Sequence, residues 1–307
     1  MAEVAVNARQ ASLWVPQEQG FFKKYGLDVE VVRIRTTPLQ VAAVTSGDVN
    51  VAYGASGPVI GAVTGGADLK IFAGFMNYFT YNLVSRPEIK SPKDLRGKRF
   101  GVQSIGGAIW MGAMMGLEYL GLDPPRDNIQ LLVIGDQTIL AQALEANVID
   151  ATVLGRVFSQ RLRGRGFNVL ADLSEAKIPQ ASSVLFATQS YLLKHADVAE
   201  NILKGMIEGL AFIFSPANKS AVLKTIMRRL KITELSDAEE DYRDLLKAVD
   251  KKPYPSIEGL RNIQRLMKSL NPRLGNVRVE NLVDNHFLKG LDDSRFIDRL
   301  YSAYGVK

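Results

Sequence analysis

Two arginines and a scatter of small polar residues stand where this sequence could hold an anion. Arg9 lies in Asn7-Ala-Arg-Gln-Ala-Ser12, beside Gln10, and Arg156 lies in Leu154-Gly-Arg-Val-Phe158. A guanidinium in either loop can grip a carboxylate or sulfonate through paired hydrogen bonds. Other short loops share this character: Arg35-Thr36-Thr37-Pro38, Gly54-Ala-Ser56-Gly57-Pro58, Gln103-Ser104-Ile-Gly106-Gly107-Ala108 and Gly135-Asp136-Gln-Thr138. Ser12, Thr37 and Ser104 are of the type that caps helix N-termini, and Pro38 and Pro58 suit a first helical turn. Their glycines leave room beside bare N–H groups, and helix starts favour negative charge. The same residues cap and turn in any α/β protein, so only their convergence would make a site. Phe75, Asn77, Tyr78 and Trp110 lie on or just after such loops, which suggests a ligand with an apolar or aromatic body.

Catalytic chemistry has much less to work with. The two histidines, His195 and His286, lie far along the chain from these loops, and there is no cysteine. No Ser-His-Asp arrangement and no metal-ligand spacing is present. Asp136 is the main carboxylate in the loops, and its position suits local capping or pairing rather than a metal. Gln103 to Ala108 lacks the Lys-Ser/Thr ending and the glycine spacing of phosphate-binding loops. We therefore expect a binding protein with no catalytic residue, no metal and no cofactor.

These loops are positioned by a duplicated unit. Residues 29–52 lie over residues 129–152: Val29 to Ile34 matches Ile129 to Ile134, Thr37 to Ser46 matches Gln137 to Ala146, and Gly47 to Ala52 matches Asn147 to Thr152. Upstream, Val4-Ala-Val6 followed by Ala11 to Trp14 matches Phe100-Gly-Val102 followed by Ala108 to Trp110, and each copy reaches a Gly-Leu-Asp, at Gly26 and at Gly121. Each copy reads β-α-β-α-β, and such crossovers require parallel strands. Ligands of open parallel sheets bind beyond the carboxyl ends of the strands. Two copies thus predict two α/β lobes whose loops face each other over one cleft.

After Ser190 the chain reads as almost wholly helical, with apolar stripes over 198–214, 220–230, 237–249, 256–270 and 279–291, punctuated by Pro216, Pro253, Pro255 and Pro272. A tail without a sheet should return to the first copy. The predicted organisation is residues 1–81 plus 190–307 as the first lobe and 82–189 as the second, with crossings at Phe79–Arg86 and Ser182–Gln189.

Composition fits that picture. The 307 residues are 47% hydrophobic and 23% charged, ordinary values for a globular chain of two lobes. The formal charge is +6, but the basic residues are dispersed and no recognition-helix pattern accompanies them, so nucleic acid is not an expected partner. The most apolar stretch, Ile105 to Leu122, contains Glu118 and reads as a buried helix.

Several motifs together resemble one family. Gln19-Gly-Phe-Phe-Lys-Lys-Tyr-Gly-Leu-Asp-Val-Glu30, Ser46 to Ala52, Gly65 to Lys70, Ser91 to Val102, and the closing Leu282 to Leu288 and Arg295 to Tyr301 are similar to substrate-binding proteins of the nitrate, sulfonate and taurine transporter type, the thiamine-precursor-like group. The resemblance spans nearly the whole chain. One departure is Asn50, where the family commonly carries Asp; Asp150 keeps it in the second copy. The resemblance implies the type II periplasmic-binding fold, hinge closure on a small solute, and delivery to a membrane permease with its ATPase. It also implies a periplasmic or membrane-anchored extracellular protein acting as a monomer, with Met1 in place of a removed leader. A cysteine-dependent pyrimidine synthase of this fold is excluded by composition, whereas an enzyme of the menaquinone-pathway type on the same fold is the alternative.

Overall fold

The computed structural model describes residues 1–4 and 7–306. The expected strand at Val4-Ala5-Val6 falls partly on Ala5 and Val6, which lie outside the described residues. The first strand, β1, is Ala2–Glu3. The others are β2 (Val32–Arg33), β3 (Ala52–Gly54), β4 (Leu69–Tyr78), β5 (Asn82–Ser85), β6 (Arg99–Val102), β7 (Gln130–Val133), β8 (Ala151–Leu154), β9 (Asn168–Asp172) and β10 (Pro179–Thr188).

They form two five-stranded sheets, ordered β2-β1-β3-β10-β4 and β7-β6-β8-β5-β9. In each sheet the central strand of the duplicated unit pairs in parallel with both of its neighbours, β1 with β2 and β3, and β6 with β7 and β8. The two outer strands of each sheet run antiparallel to what precedes them. The duplication read from sequence is thus a duplication of sheet order. The helices Thr37–Ser46 and Gln137–Glu145 are counterparts, as are Ser56–Thr64 and Arg156–Arg163.

The fourth strand of each sheet is delivered by the chain arriving from the other lobe. The first crossing lies between Tyr78 and Asn82. The second differs from expectation: Ser182–Gln189 is not a crossing, because β10 is a full member of the first sheet, with Leu185 opposite both Tyr53 and Ala73. The chain returns between Asp172 and Pro179, and residues 179–188 leave the predicted second lobe for the first. Apolar β-branched and aromatic content identifies a strand there, but nothing local says which of two similar sheets it joins.

The tail packs as amphipathic helices do. In Ala196–Phe214 the buried Ala199, Ile202, Leu203, Met206, Ile207 and Leu210 recur every three or four residues and cover one face of the first sheet with Leu13, Trp14, Phe72 and Leu185. Gly205 and Gly209 let this helix press close: a Cβ at Gly209 would sit 2.6 Å from the Pro16 ring. The other tail α-helices are Gln189–Lys194, Lys219–Leu230, Leu235–Ala248, Ile257–Lys268, His286–Asp293 and Phe296–Ala303. Two of them also reach the second lobe, Leu235–Ala248 against Arg156–Arg163 and Ile257–Lys268 against Ala108–Tyr119. The helix Ala108–Tyr119 buries Ile109, Trp110, Met111, Ala113 and Leu117. Among the described residues no helix is long and apolar enough to cross a membrane.

Candidate functional site

The carboxyl ends of both sets of parallel strands meet between the lobes. There a cavity of about 40 Å³ is lined by Asn7, Arg9, Gln10, Thr37, Gly54 and Ala55 from the first lobe, Gln103, Ser104, Gly107 and Gln137 from the second, and Tyr81 from the first crossing. Asn7 and Gln137 also border a wider cleft of about 640 Å³, reached by Arg33, Arg35, Asp136, Arg156, Phe158, Arg229, Lys231 and Asp241.

Arg9 is fixed from several sides. Asn7 Oδ1 accepts the Arg9 N–H at 3.1 Å and starts the short helical turn Ala8–Gln10. The Arg9 Nε donates to Thr80 Oγ1 at 2.7 Å and Nη2 donates to the Thr80 carbonyl. The guanidinium carbon lies 3.8 Å from the centre of the Tyr81 ring. Nη1 is left buried and without a partner, as is Oε1 of neighbouring Gln10. A buried donor carrying charge is costly to leave unmatched, and an anion in the cavity would match it. Ser12 lies one layer deeper: its hydroxyl donates to the Arg9 carbonyl at 2.9 Å and bonds the Tyr53 hydroxyl at 2.7 Å, whose proton is held tightly because the ring is wholly buried.

The other predicted residues divide into three groups. Thr37, Gln103, Ser104 and Gly107 line the cavity beside Arg9 and Gln10. Thr37 Oγ1 also accepts the Ala55 N–H at 3.2 Å, and Gln103 Nε2 reaches across the cleft to the Arg35 carbonyl at 2.9 Å. Thr36 is the N-cap of Thr37–Ser46 but makes no side-chain cap.

A second group holds the lobes together. A Cβ on Gly57 would sit 2.2 Å from the Gly106 carbonyl oxygen, so the two loops touch backbone to backbone. Gly106 takes φ +73°, a left-handed conformation that suits glycine. Asp136 caps its own helix through the N–H groups of Thr138 and Ile139 and also meets Arg33 of the first lobe at 3.3 Å. Arg156 is committed to two carboxylates, Asp244 of the tail at 2.5 Å and Asp172 at 3.1 Å.

The third group stands away from both cavities. Strand β4 runs through Tyr78 rather than stopping before it, so Phe75 is a fully buried core residue packed edge-on to Tyr53 at 5.4 Å. The Asn77 amide is saturated by the tail, donating to Asp250 at 2.7 Å and to the Tyr254 carbonyl at 2.9 Å, and accepting from the Ser256 N–H at 3.0 Å. Tyr78 ends its strand exposed. Ser56 is buried and donates to the Ala181 carbonyl at 2.6 Å, tying its helix to β10. Trp110 is buried in the core shared by the lobes, with Nε1 unpartnered. The aromatic rings at the cavities are instead Tyr81 and Phe158.

Sequence reasoning missed Asp241. This residue of Leu235–Ala248 is 7% exposed, lines the wider cleft, and has a buried Oδ2 without a partner. Burial pushes its carboxyl up to about 7; Asp244, Asp237 and Glu240 add to the rise, and Arg9 opposes it. The signal was there in the helical period: Ala238, Asp241, Tyr242 and Leu245 share the buried stripe, and an acid on an apolar face needs a reason. The histidines are elsewhere. His195 precedes the helix Ala196–Phe214, with its ring over Tyr191, and His286 pairs with Asp284. Among the described residues no group of three or more His, Cys, Asp and Glu is placed to hold a metal ion.

The architecture recurs in known structures. A Bordetella bronchiseptica protein matches with a TM-score of 0.79 at 16% identity, over 95% of this chain and 96% of that one. The alkanesulfonate-binding protein SsuA from Xanthomonas axonopodis, bound to MOPS, matches at 0.73 and 15% identity, over 92% and 98%. The desulfurization enzyme DszB matches at 0.64 and 14% identity, over 96% and 99%. These likenesses establish the fold, which hosts both solute-binding proteins and an enzyme. No curated relative matches the chain by sequence. The family model described as NMT1/THI5 like matches residues 7–219, which covers both crossings and all of the duplicated unit after its first strand, and the chain therefore belongs to the NMT1/THI5-like family.

Proposed function

We propose that this protein is the solute-binding component of an ABC-type importer outside the cytoplasm, closing as a monomer on a small organic anion with an apolar part and handing it to a membrane permease with its ATPase. The observation that carries this reading is Arg9, which lines a cavity whose walls come from both lobes and whose buried Nη1 has no partner. A group bound there touches both halves only when they are together, so binding and closure are coupled. Phe158 and Ile139 in the wider cleft supply an apolar wall. Relatives on the same fold include alkanesulfonate-binding and nitrate-binding proteins.

The test combines a thermal-shift screen of carboxylates, sulfonates and aromatic acids with small-angle scattering of any hit. Stabilisation by an organic anion with compaction of the particle is the expected result. Binding without compaction would remove the transport reading. One observation favours an enzyme as the second reading: a cleft carboxyl that titrates near neutrality, Asp241, could act as an acid or base. Chemical change in a retained ligand on incubation would select it.

A further inference from the structure

The first crossing carries the groups that hold Arg9. Thr80 accepts Nε at its hydroxyl, 2.7 Å away, and Nη2 at its carbonyl, so one edge of the guanidinium ends on a single crossing residue. Tyr81, the next residue, lies against the guanidinium face, with its ring centre 3.8 Å from Cζ. The crossing is in turn fixed to its surroundings. The Tyr81 carbonyl accepts the N–H of Leu173, where the return crossing starts, at 2.9 Å. The buried Tyr81 ring occupies space that Gly112 leaves in the helix Ala108–Tyr119, where a Cβ would come within 3.3 Å of it. Arg9 belongs to the first lobe and that helix to the second. The ring therefore stands between them, at the point where the chain passes from one lobe to the other.

We infer that Thr80 and Tyr81 are positioning residues for Arg9, and that through it they set the preference of the cavity for a negatively charged group. The inference rests on the anion-binding reading above and deepens it. A long side chain loses rotamer freedom when it is ordered, and here the crossing orders it before any solute arrives, so binding does not carry that cost. The Thr80 acceptors fix rotation in the guanidinium plane, and the ring face favours both the charge and the plane. With Nε and Nη2 committed to Thr80, Nη1 is the nitrogen left without a partner, on a residue that lines the inner cavity beside Tyr81.

The test is calorimetric titration with butyrate, butanesulfonate and benzoate, each compared with its primary amide, which has nearly the same shape and no charge. Wild type should bind at least one acid and prefer it to its amide. Thr80→Val removes the hydroxyl acceptor and keeps the shape; the acid should lose at least fivefold in affinity while the amide does not, so the preference shrinks. Thr80→Ser, which keeps the hydroxyl, should restore it. Tyr81→Leu makes the same comparison at the ring face and serves alone if Thr80→Val does not fold. A preference retained in Thr80→Val or in Tyr81→Leu, or an equal loss for acid and amide, would overturn the positioning role and leave the anion-binding reading intact. Failure of wild type to bind any of the three acids would overturn both.

Discussion

A carboxyl that loses water without gaining a partner is destabilising once charged, and Asp241 is such a residue. Its folded-state value, pushed up to about 7, lies above the ordinary Asp value of 3.8. The folded protein therefore holds this proton more tightly than the unfolded chain does. The stabilising effect is complete below the unfolded value and is lost as pH rises through about 7, the reverse of an ion-paired aspartate. From these two values, the loss between pH 5 and pH 8 is about 2 to 3 kcal/mol for this group. Asp241→Asn should remove that part of the slope. Urea unfolding of wild type and variant at both pH values checks it: the variant should gain on wild type at pH 8 and not at pH 5. Equal gains at the two values would mean that Asp241 is neutral throughout or solvated. Glu3 and Asp250, also pushed up by burial, are common to both proteins and cancel in the comparison.

At the scale of elements, the duplicated unit is where sequence and structure agree best, because helix and strand periods and their stop signals are local. The offset between the copies reappears as matching sheet positions, and the capping residue Asp136 is where its spacing puts it. Asp150, the acid retained in the second copy, ties the start of β8 to β6 through the Arg99 N–H and guanidinium at 2.7 to 2.9 Å, which holds its pKa low, at about 2. What sequence could not reveal is non-local. The sheet that β10 joins, the tail's claim on Asn77 and the burial of Phe75 all depend on partners more than a hundred residues away or on the length of one strand. The contact of Gly57 with Gly106 is of the same kind, and it separates folding from closure. In a helix, Gly→Ala gains roughly 0.5 to 1 kcal/mol, and Gly57 has an ordinary helical backbone, so Gly57→Ala should not weaken its lobe. The new methyl would collide with the Gly106 carbonyl only when the lobes meet. We expect an unchanged or slightly raised melting temperature, at least a tenfold loss of ligand affinity, and a scattering profile that stays extended with ligand. Full affinity in Gly57→Ala would show that the two loops move apart without loss to the bound state.

For the molecule as a whole, the lobes are already joined by contacts that need no ligand. Arg156 meets Asp244 at 2.5 Å, Arg265 meets Glu118 at 2.8 Å, Arg33 meets Asp136 at 3.3 Å, and each pair joins one lobe to the other. Partly exposed pairs contribute about 0.2 to 1 kcal/mol each, so three of them would bias the proposed open–closed balance by a few kcal/mol at most. Such a bias changes the population of the closed form by one or two orders of magnitude. On the proposed closure, Arg156 acts as a latch whose effect on affinity passes through closure, in place of the direct anion anchor that its loop suggests in sequence. A double-mutant cycle distinguishes the two roles. As a latch, Arg156→Ala and Asp244→Ala should each weaken binding several-fold, the double variant should be no weaker than the worse single one, and raised salt should lower wild-type affinity towards theirs. As an anchor, Arg156→Ala would cost far more than Asp244→Ala, and freeing Arg156 from Asp244 would tighten binding of an anion. The committed geometry of the guanidinium, with Asp172 holding its other edge, makes the latch the expected result.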